Sequence, residues 1–280
     1  MDTRGMLVLV ATPIGNLGDI SPRAAETLAA ADLICCEDTR HSRKLLSHLG
    51  IQKKPLLSLH EHNEDQRIAQ VIDGLADGQT IAVISDAGTP VVSDPGQRLV
   101  AAVHAANYQV TAIPGPSAAV MALAVSGLPA ERFSFEGFLP AKGAERRERL
   151  KLLVGAHQTT VLYESPHRLA KLLGELAADS EPTRKIVLAR ELTKLHEEIW
   201  SGALSEAVRH LASSSPRGEY TLVLEGIPAT IEAVSDEMIR AALTTQHSLG
   251  QSGRRAIDEV TIQLGVPRKR VYAISLELAA

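Results

Sequence analysis

The stretch Leu9-Val10-Ala11-Thr12-Pro13-Ile14-Gly15-Asn16-Leu17-Gly18-Asp19 joins an apolar, strand-like run to a loop rich in glycine and proline. Two later stretches repeat the arrangement, Ile84-Ser85-Asp86-Ala87-Gly88-Thr89-Pro90 and Ile113-Pro114-Gly115-Pro116-Ser117-Ala118. We call residues 12–19, 85–90 and 114–118 the first, second and third loops. Ligands of open α/β sheets bind beyond the carboxyl ends of strands, where glycine lets the backbone approach closely. The three loops therefore predict one shared binding pocket.

The same loops exclude two common ligand classes. Neither G-x-G-x-x-G nor G-x-x-x-x-G-K-[ST] occurs at a strand-to-helix junction, which argues against a hydride cofactor and against a Walker-type nucleotide. Proline fixes φ and removes a backbone donor, so these loops suit a neutral or zwitterionic ligand better than a pyrophosphate.

Length and composition indicate a well-packed protein of two domains and a small appendage. The chain has 280 residues, of which 45% are hydrophobic and 22% charged. No apolar run approaches the roughly 18 residues of a membrane span. Met1-Asp2-Thr3-Arg4 leads directly into a strand, so we expect no signal peptide, no membrane association and a cytoplasmic location.

Cysteine and histidine usage points away from metal chemistry. The two cysteines, Cys35 and Cys36, are adjacent within a buried strand, which excludes a disulfide scaffold and a cysteine-based zinc site. His60-Glu61-His62 could present two histidines on one side of a strand, but no further ligand cluster accompanies them. We expect hydrogen-bonded or solvated histidines and no metal.

Strands and helices alternate through the first half. Strands are predicted over 6–11, 32–36, 80–84 and 109–113. Helices are predicted from Ser21-Pro22 to residue 31, from about residue 40 to Gly50, from a capping box at 63–66 to Gly78, and from Asp94-Pro95 onward. Such alternation of buried strands with helices predicts a mainly parallel sheet covered on both faces.

The alternation resumes further on as a second α/β domain with a mixed or antiparallel sheet. Its strands are predicted over 133–135, 159–163, 185–191, 197–200 and 220–225, and its helices near 144–154, 166–178 and 204–212. Three more helices fit 235–246, 252–263 and 267–279. The prediction is therefore an α/β domain over 1–117, a second over 118–227 and a helical extension over 228–280.

Two clusters of basic residues stand out against a net charge of −4. One comprises Arg40, Arg43 and Lys44 with Lys53 and Lys54 beyond, and the other comprises Lys142, Arg146, Arg147, Arg149 and Lys151. Each is either a local nucleic-acid surface or a solvated helix face, and charge alone leaves both open. Arg268, Lys269 and Arg270 similarly leave the extension open as a helix-turn-helix reader or, the favoured alternative, a packing hairpin.

Taken in order, the motifs are similar to those of the tetrapyrrole methylase family. They are the first loop with its strand, Cys36-Glu37-Asp38-Thr39-Arg40, and the second loop continuing to Ser93-Asp94-Pro95-Gly96. The third loop, Tyr163-Glu164-Ser165-Pro166-His167-Arg168 and Glu191-Leu192-Thr193-Lys194 narrow the resemblance to the branch that 2′-O-methylates a cytidine ribose of 16S ribosomal RNA. The resemblance covers about residues 5–226, and the helical tail also resembles that branch.

The resemblance implies a homodimer that holds S-adenosylmethionine in the cleft between its two α/β domains and acts on 16S rRNA. Only 3% of the residues are aromatic, which leaves few surfaces for stacking a splayed single strand, so we expect the RNA to be presented within the small ribosomal subunit. The implied donor-binding residues are Pro13, Ala87, Gly88, Thr89, Val92, Ser117, Ala118, Tyr163, Glu164 and Leu192. The implied RNA contacts are Arg40, Arg43, Lys44, Lys142, Arg146 and Arg147. Tetrapyrrole-modifying relatives have Gly-Asp-Pro where this chain has Gly88-Thr89-Pro90, which argues against a porphyrin-like substrate.

Two residues are candidates to accept the proton of a ribose hydroxyl. Lys194 could lose its own proton if desolvated, or it could clamp a phosphate, which we favour. Asp38 could accept a proton or orient Arg40 against a phosphate. Two other functions remain open at this point, a methyltransferase of corrin or porphyrin precursors and a non-catalytic nucleic-acid-binding regulator.

Overall fold

The computed structural model describes residues 5–212, 216–228 and 235–279. The chain divides into two compact units, Met1–Ile227 and Pro228–Ala280. The described part of the first unit contains two five-stranded sheets with flanking helices, and that of the second contains three helices. This arrangement confirms the predicted fold class, whereas the limit between residues 117 and 118 stays a prediction.

The first sheet is parallel throughout, in the order β3-β2-β4-β1-β5. Its strands are β1 (Met6–Val10), β2 (Leu33–Cys36), β3 (Leu56–Ser58), β4 (Thr80–Ile84) and β5 (Gln109–Ile113), and its helices are α1 (Pro22–Ala30), α2 (Thr39–His48), α3 (Glu64–Ala76) and α4 (Gln97–Ala105). Successive residues of β1 enter different cores, Leu7 on one face and Val8 on the other. Both faces are covered, as predicted, and the loops leave one edge together.

The structure departs from the sequence predictions at three places. The short strand β3 follows Pro55 and was not predicted, because three residues carry no readable periodicity. Helix α4 begins at Gln97 rather than at Asp94-Pro95, since Gly96 has φ 122° and keeps the chain in a loop. Helix α3 starts as predicted, but Asn63 makes no capping hydrogen bond. Its side chain instead binds the His60 N–H and the Ser58 carbonyl.

The second sheet is mixed, in the order β6-β7-β10-β8-β9, with only β6 and β7 paired in parallel. Its strands are β6 (Phe133–Phe138), β7 (Thr159–Glu164), β8 (Lys185–Arg190), β9 (Glu198–Ala203) and β10 (Tyr220–Leu224), and its helices are α5 (Ala118–Ser126), α6 (Ala144–Val154), α7 (Pro166–Asp179) and α8 (Leu204–Ala212). Helix α5 follows the third loop directly and packs against this sheet, as Ala122 and Leu123 share a core with Val161 and Val223. The first sheet's last loop is thereby held against the second sheet.

Residues 235–279 form α9 (Asp236–Ser248), α10 (Arg254–Leu264) and α11 (Arg268–Ala279) around their own core, which includes Ile239, Val260 and Val271. Two cations of the first turn of α11 are in ion pairs, Arg268 with Asp258 and Arg270 with Asp236. These contacts fit the packing alternative. Within the described ranges, no helix has the length and apolarity needed to cross a membrane.

Candidate active site

Backbone and hydroxyl hydrogen bonds tie the three loops into one wall. Thr12 and Gly88 exchange both backbone hydrogen bonds, with N···O distances of 2.9 and 3.1 Å. The Thr89 hydroxyl donates to the Pro116 carbonyl at 3.2 Å and so joins the second loop to the third. The loops converge, as the sequence predicts, because they follow the carboxyl ends of the parallel strands β1, β4 and β5.

Glycine is required at two of these contacts. Gly88 has φ +83°, and a Cβ there would lie 3.3 Å from Ile14 Cγ2. A Cβ on Gly115 would lie 2.8 Å from the Ala11 Cβ. A larger residue at position 115 would push the first and third loops apart, since real Cβ atoms almost never approach within 3.0 Å of another atom, and a larger residue at position 88 would be strained by the positive φ.

The opposite wall comes from the second sheet. Tyr163, at the end of β7, packs edge-on against Phe135 with ring centroids 5.1 Å apart, and against Phe138 at 5.4 Å. Burial raises the pKa of Tyr163, despite a hydrogen bond from the Ala119 backbone. The phenol therefore stays neutral at physiological pH and its ring forms a fixed surface.

The two walls enclose a cavity of about 340 Å³, which lies in the size range of small-molecule sites. Nine of the ten predicted donor-binding residues line it: Ala87, Gly88, Thr89, Val92, Ser117, Ala118, Tyr163, Glu164 and Leu192. Pro13 is buried and does not line it, whereas its neighbour Ile14 does. The structure thus brings the predicted residues together, and their contacts with a ligand remain a prediction.

Glu164 is suited to hold a hydrogen-bond donor in this cavity. Its side chain is buried, and its Oε1 accepts from the Ser165 N–H at 2.8 Å and pairs with Arg168 at 3.1 Å. Its Oε2 is buried without a hydrogen-bond partner among the described residues. An unpartnered buried carboxylate oxygen is costly, so a ligand hydroxyl or amino group would satisfy it.

Lys194 links the first loop to the second sheet. Its Nζ lies 2.9 Å from both Glu191 Oε1 and Glu219 Oε2, and its aliphatic stem packs over Gly15. Burial acts to lower the pKa of Lys194, but the hydrogen bonds to the two carboxylates outweigh it and raise that pKa. The amine is therefore an ammonium group at neutral pH, which argues against a role as proton acceptor. A clamp on an anion remains open to it.

Asp38 is also unsuited to accept a proton. It caps α2 by accepting from the Arg40 N–H at 2.7 Å and pairs with the Arg40 guanidinium at 2.9 Å. The side-chain hydrogen bond from Arg40 is the main cause that lowers the pKa of Asp38 to about 2. The carboxylate is a weak base, and it is not among the residues that line the cavity. The contact matches the alternative role, orientation of Arg40.

Asp94 is a cavity residue that sequence reasoning missed. Its place before Pro95 resembles a helix start, yet the loop continues to Gly96 and turns Asp94 toward the cavity lining. Burial raises the pKa of Asp94 to about 6, opposed by a hydrogen bond from Ser85 and reinforced by the nearby Glu37 and Asp86 carboxylates. The signal available in the sequence was the presence of two aspartates, Asp86 and Asp94, on either side of the turn that contains Gly88.

Five of the six predicted RNA contacts lie at the surface, and one is wrong. Arg40, Arg43, Lys44, Lys142 and Arg147 are exposed. Arg146 is buried, and its guanidinium donates to the Pro140 carbonyl at 2.9 Å and to Glu175 at 2.5 Å. It therefore fastens α6 to α7 and is unavailable to RNA. The sequence could not reveal this, because Arg146 and Arg147 are adjacent in a uniformly charged segment.

The remaining titratable residues show no metal-binding arrangement. The rings of His60 and His62 lie 6.1 Å apart, and the described residues contain no cluster of three or more metal-ligating side chains. Both cysteines are buried, and burial raises the pKa of Cys35 to about 12. Neither thiol is a reactive nucleophile.

Paired α/β domains around a cleft of glycine- and proline-rich loops define a class of methyltransferase-like proteins. The sequence model of the Tetrapyrrole (Corrin/Porphyrin) Methylases matches residues 6–208. The chain belongs to this family.

Particular relatives narrow the similarity further. The chain is 45% identical over 277 residues to "Ribosomal RNA small subunit methyltransferase I" of Synechocystis sp., with 99% of each chain covered. It is 46% identical over 275 residues to the protein of the same name in Xylella fastidiosa, covering 97% of this chain and 99% of the relative. It is 42% identical over 278 residues to the protein of the same name in Escherichia coli O157:H7, covering 99% of this chain and 96% of the relative.

Solved structures share the fold at low sequence identity. Cobalt precorrin-4 methyltransferase superposes with a TM-score of 0.60 at 13% identity, covering 80% of this chain and 95% of that one. Uroporphyrin-III C-methyltransferase from Thermus thermophilus, complexed with S-adenosylhomocysteine, gives a TM-score of 0.54 at 19% identity, covering 79% of this chain and 97% of that one. At such identities the likeness establishes the architecture alone.

Proposed function

We propose that this protein is an S-adenosylmethionine-dependent methyltransferase that methylates the 2′-hydroxyl of a cytidine ribose in 16S rRNA of the small ribosomal subunit. The observation that carries the proposal is 42–46% identity, over 97–99% of the chain, to relatives named for small-subunit rRNA methylation. The similarity includes the helical unit, which lies beyond the family match at residues 6–208.

The size and the lining of the cavity support the methyl donor as its ligand. Apolar side chains such as Ile14, Val92 and Leu192 line it, and Glu164 Oε2 has no hydrogen-bond donor among the described residues. When bound, S-adenosylmethionine supplies an electrophilic methyl carbon on a cationic sulfonium. The chain's own task is then to exclude water and to hold the acceptor hydroxyl in line with that carbon, which is how proximity accelerates a displacement.

The surface offers cations to RNA, and the mouth of the cavity offers the aromatic ring of Phe138. Arg40, Arg43 and Lys44 lie on α2, and Arg147 is exposed on α6. Cations of this kind neutralise phosphates and give salt-dependent binding. Phe138 lines the cavity yet is 56% exposed, so it provides a stacking surface for a base presented at the mouth. The acidic net charge and sparse aromatic residues favour rRNA shaped by an assembled subunit as the substrate.

The substituted loop residue Thr89 weakens the alternative of a corrin or porphyrin substrate. Its hydroxyl is committed to the Pro116 carbonyl, a contact within the protein. The structural neighbours that act on such rings are below 25% identical and bear only on the fold. We therefore retain the ring substrate as an outcome of the test.

A homodimer in the cytoplasm is part of the proposal. Helix α5 is apolar on every side, and although Ala122 and Leu123 are buried, Val120 and Val125 remain 56% and 49% exposed. A second copy that covers these valines would bury apolar surface that a monomer leaves in water. Light scattering on the purified protein measures this directly, and a monomer at micromolar concentration would refute the dimer.

The proposed function is tested by comparing methyl acceptors in parallel reactions. The purified protein is incubated with methyl-labelled S-adenosylmethionine and, separately, unmethylated small subunits, free 16S rRNA and a corrin precursor. We expect label in the rRNA of the subunits and little in free rRNA. Label confined to the corrin would overturn the substrate, and faster methylation of free rRNA would overturn the preference for an assembled subunit.

A further inference from the structure

The carboxylate of Asp94, a residue between β4 and α4, lines the cavity beside the donor loops. Asp94 follows the second loop, in a segment where Val91 and Ser93 both have positive φ, at 76° and 61°. Non-glycine residues rarely adopt such values, and their persistence indicates that surrounding contacts fix this segment. Asp94 lines the same cavity as Thr89 and Tyr163.

We propose that Asp94 accepts the proton of the ribose 2′-hydroxyl during methyl transfer. The proposal rests on the proposed function and adds to it the residue that performs the proton transfer. The proposal makes Asp94 a catalytic residue, one whose carboxylate would contact the reacting hydroxyl from the cavity wall.

The step balances without any further reactant. A bond forms between the ribose O2′ and the methyl carbon while the bond from that carbon to sulfur breaks, and its electron pair stays on the sulfur, which becomes a neutral thioether. The proton of O2′ passes to an Asp94 oxygen and later to water. The sulfonium loses its charge and Asp94 loses its own, so the pair of opposite charges disappears together.

The groups around Asp94 favour this role. Ser85 hydrogen-bonds to it from the end of β4, Glu37 and Asp86 face it from the ends of β2 and β4, and the Tyr163 phenol faces it from β7. Burial and the two like charges hold the pKa of Asp94 at about 6, a value that leaves it ionised at neutral pH and a stronger base than an ordinary carboxylate.

Other titratable groups that line the cavity already have partners or an assigned role. Lys194 is an ammonium between two carboxylates. Glu164 Oε1 is held by Arg168 and the Ser165 N–H, and its Oε2 is the atom assigned above to a hydrogen-bond donor of the bound ligand. Asp86 Oδ1 accepts from the Asp38 N–H at 3.3 Å. Tyr163 is neutral at the working pH because its pKa is raised by burial.

The test compares the wild-type enzyme with Asp94→Asn, Asp94→Glu and Glu37→Gln, using small subunits and labelled donor. For Asp94→Asn we expect kcat lower by about 10²- to 10⁴-fold, the usual contribution of a general base, with the dissociation constant of S-adenosylhomocysteine changed by less than about 3-fold. Asp94→Glu keeps the base and restores part of the rate. Donor binding also shows that each variant is folded.

The pH profile separates a base from a structural residue. Wild-type kcat should fall about tenfold per unit below pH 6, as the base is protonated. Removing the neighbouring charge in Glu37→Gln should move this acid limb to lower pH, because the like charge that raises the pKa of Asp94 is gone. Asp94→Asn should show no such limb.

Three results would overturn the proposal: Asp94→Asn retaining its rate within about 3-fold, an acid limb unchanged in that variant, or loss of donor binding as the cause of its inactivity. A wild-type enzyme that leaves rRNA unlabelled would instead refute the proposed function. The two failures are therefore read from different arms of the experiment.

Discussion

At the scale of single residues, local contacts shift the pKa values of three charged groups in or near the site. Arg40 keeps Asp38 ionised, and the carboxylates Glu191 and Glu219 keep Lys194 protonated. Asp94 differs because no cation among the described residues is in an ion pair with it, and burial favours its neutral form. Asp38 and Lys194, the two candidate proton acceptors chosen from the sequence, are therefore stabilised in their charged forms. Asp94, whose charged form is destabilised by burial, is the proposed base.

The raised pKa of Asp94 predicts a cost in stability at neutral pH. An acid whose folded pKa is about 6 rather than 3.8 binds more protons in the folded state, so its contribution to stability falls as pH rises through that window. We expect Asp94→Asn, which can keep the hydrogen bond from Ser85, to melt at a higher temperature than wild type at pH 7.5. Thermal unfolding at pH 7.5 and pH 4 measures this, and an equal difference at both values would contradict it.

Gly15 provides a second prediction at this scale. A Cβ there would lie 2.9 Å from Lys194 Cε and closer still to its Cγ, so Gly15→Ala should displace Lys194 from Glu191 and Glu219. We expect donor affinity to weaken by about tenfold, which corresponds to roughly 1.4 kcal/mol.

The matched control is Gly174→Ala, because a Cβ at that position of helix α7 would meet nothing within 4 Å. Isothermal titration with S-adenosylhomocysteine compares the two variants. Equal affinities would show that the contact between the first loop and Lys194 does not shape the cavity.

At the scale of elements, helix α6 carries two adjacent arginines with opposite surroundings. Arg146 is buried against Glu175 and the Pro140 carbonyl, whereas Arg147 is exposed. We expect Arg146→Ala to lower the free energy of unfolding by about 2–3 kcal/mol, somewhat less than for a fully buried pair because Glu175 is partly exposed. Arg147→Ala should leave stability within about 0.5 kcal/mol.

Binding to the small ribosomal subunit should depend on Arg147 rather than on Arg146. Arg147→Ala removes a surface cation and should weaken binding and reduce its salt dependence, whereas the exposed neighbour Glu148→Ala serves as control and should not weaken it. Urea unfolding and filter binding at two salt concentrations give both readouts. A stable Arg146→Ala or an unaffected Arg147→Ala would contradict the assignment.

Elements with strong patterns could be predicted from the sequence, and those set by tertiary contacts could not. The β1, β4 and β5 strands are apolar runs before punctuated loops, so their ends and the converging loops were readable. Strand β3 is too short for a pattern, and the start of α4 depends on the positive φ of Gly96. Burial of Arg146 depends on α7, which lies 20 residues or more further along the chain.

At the scale of the whole molecule, every residue that lines the cavity precedes Ile227, the end of the first compact unit. We therefore expect a chain that ends at residue 227 to bind S-adenosylhomocysteine within about 3-fold of the full-length affinity. Titration calorimetry checks this, with circular dichroism to show that the shortened chain is folded. A folded but non-binding chain would show that residues 228–280 contribute to the donor site.

We propose that this cavity directs a methyl group to a ribose hydroxyl of rRNA. The most direct measurement digests unmethylated small subunits to nucleosides after incubation with enzyme and labelled S-adenosylmethionine, and identifies the labelled nucleoside by mass spectrometry. We expect 2′-O-methylcytidine with the wild-type enzyme and its near absence with Asp94→Asn. Label on a base, or no label in the RNA while a corrin precursor is methylated, would contradict it.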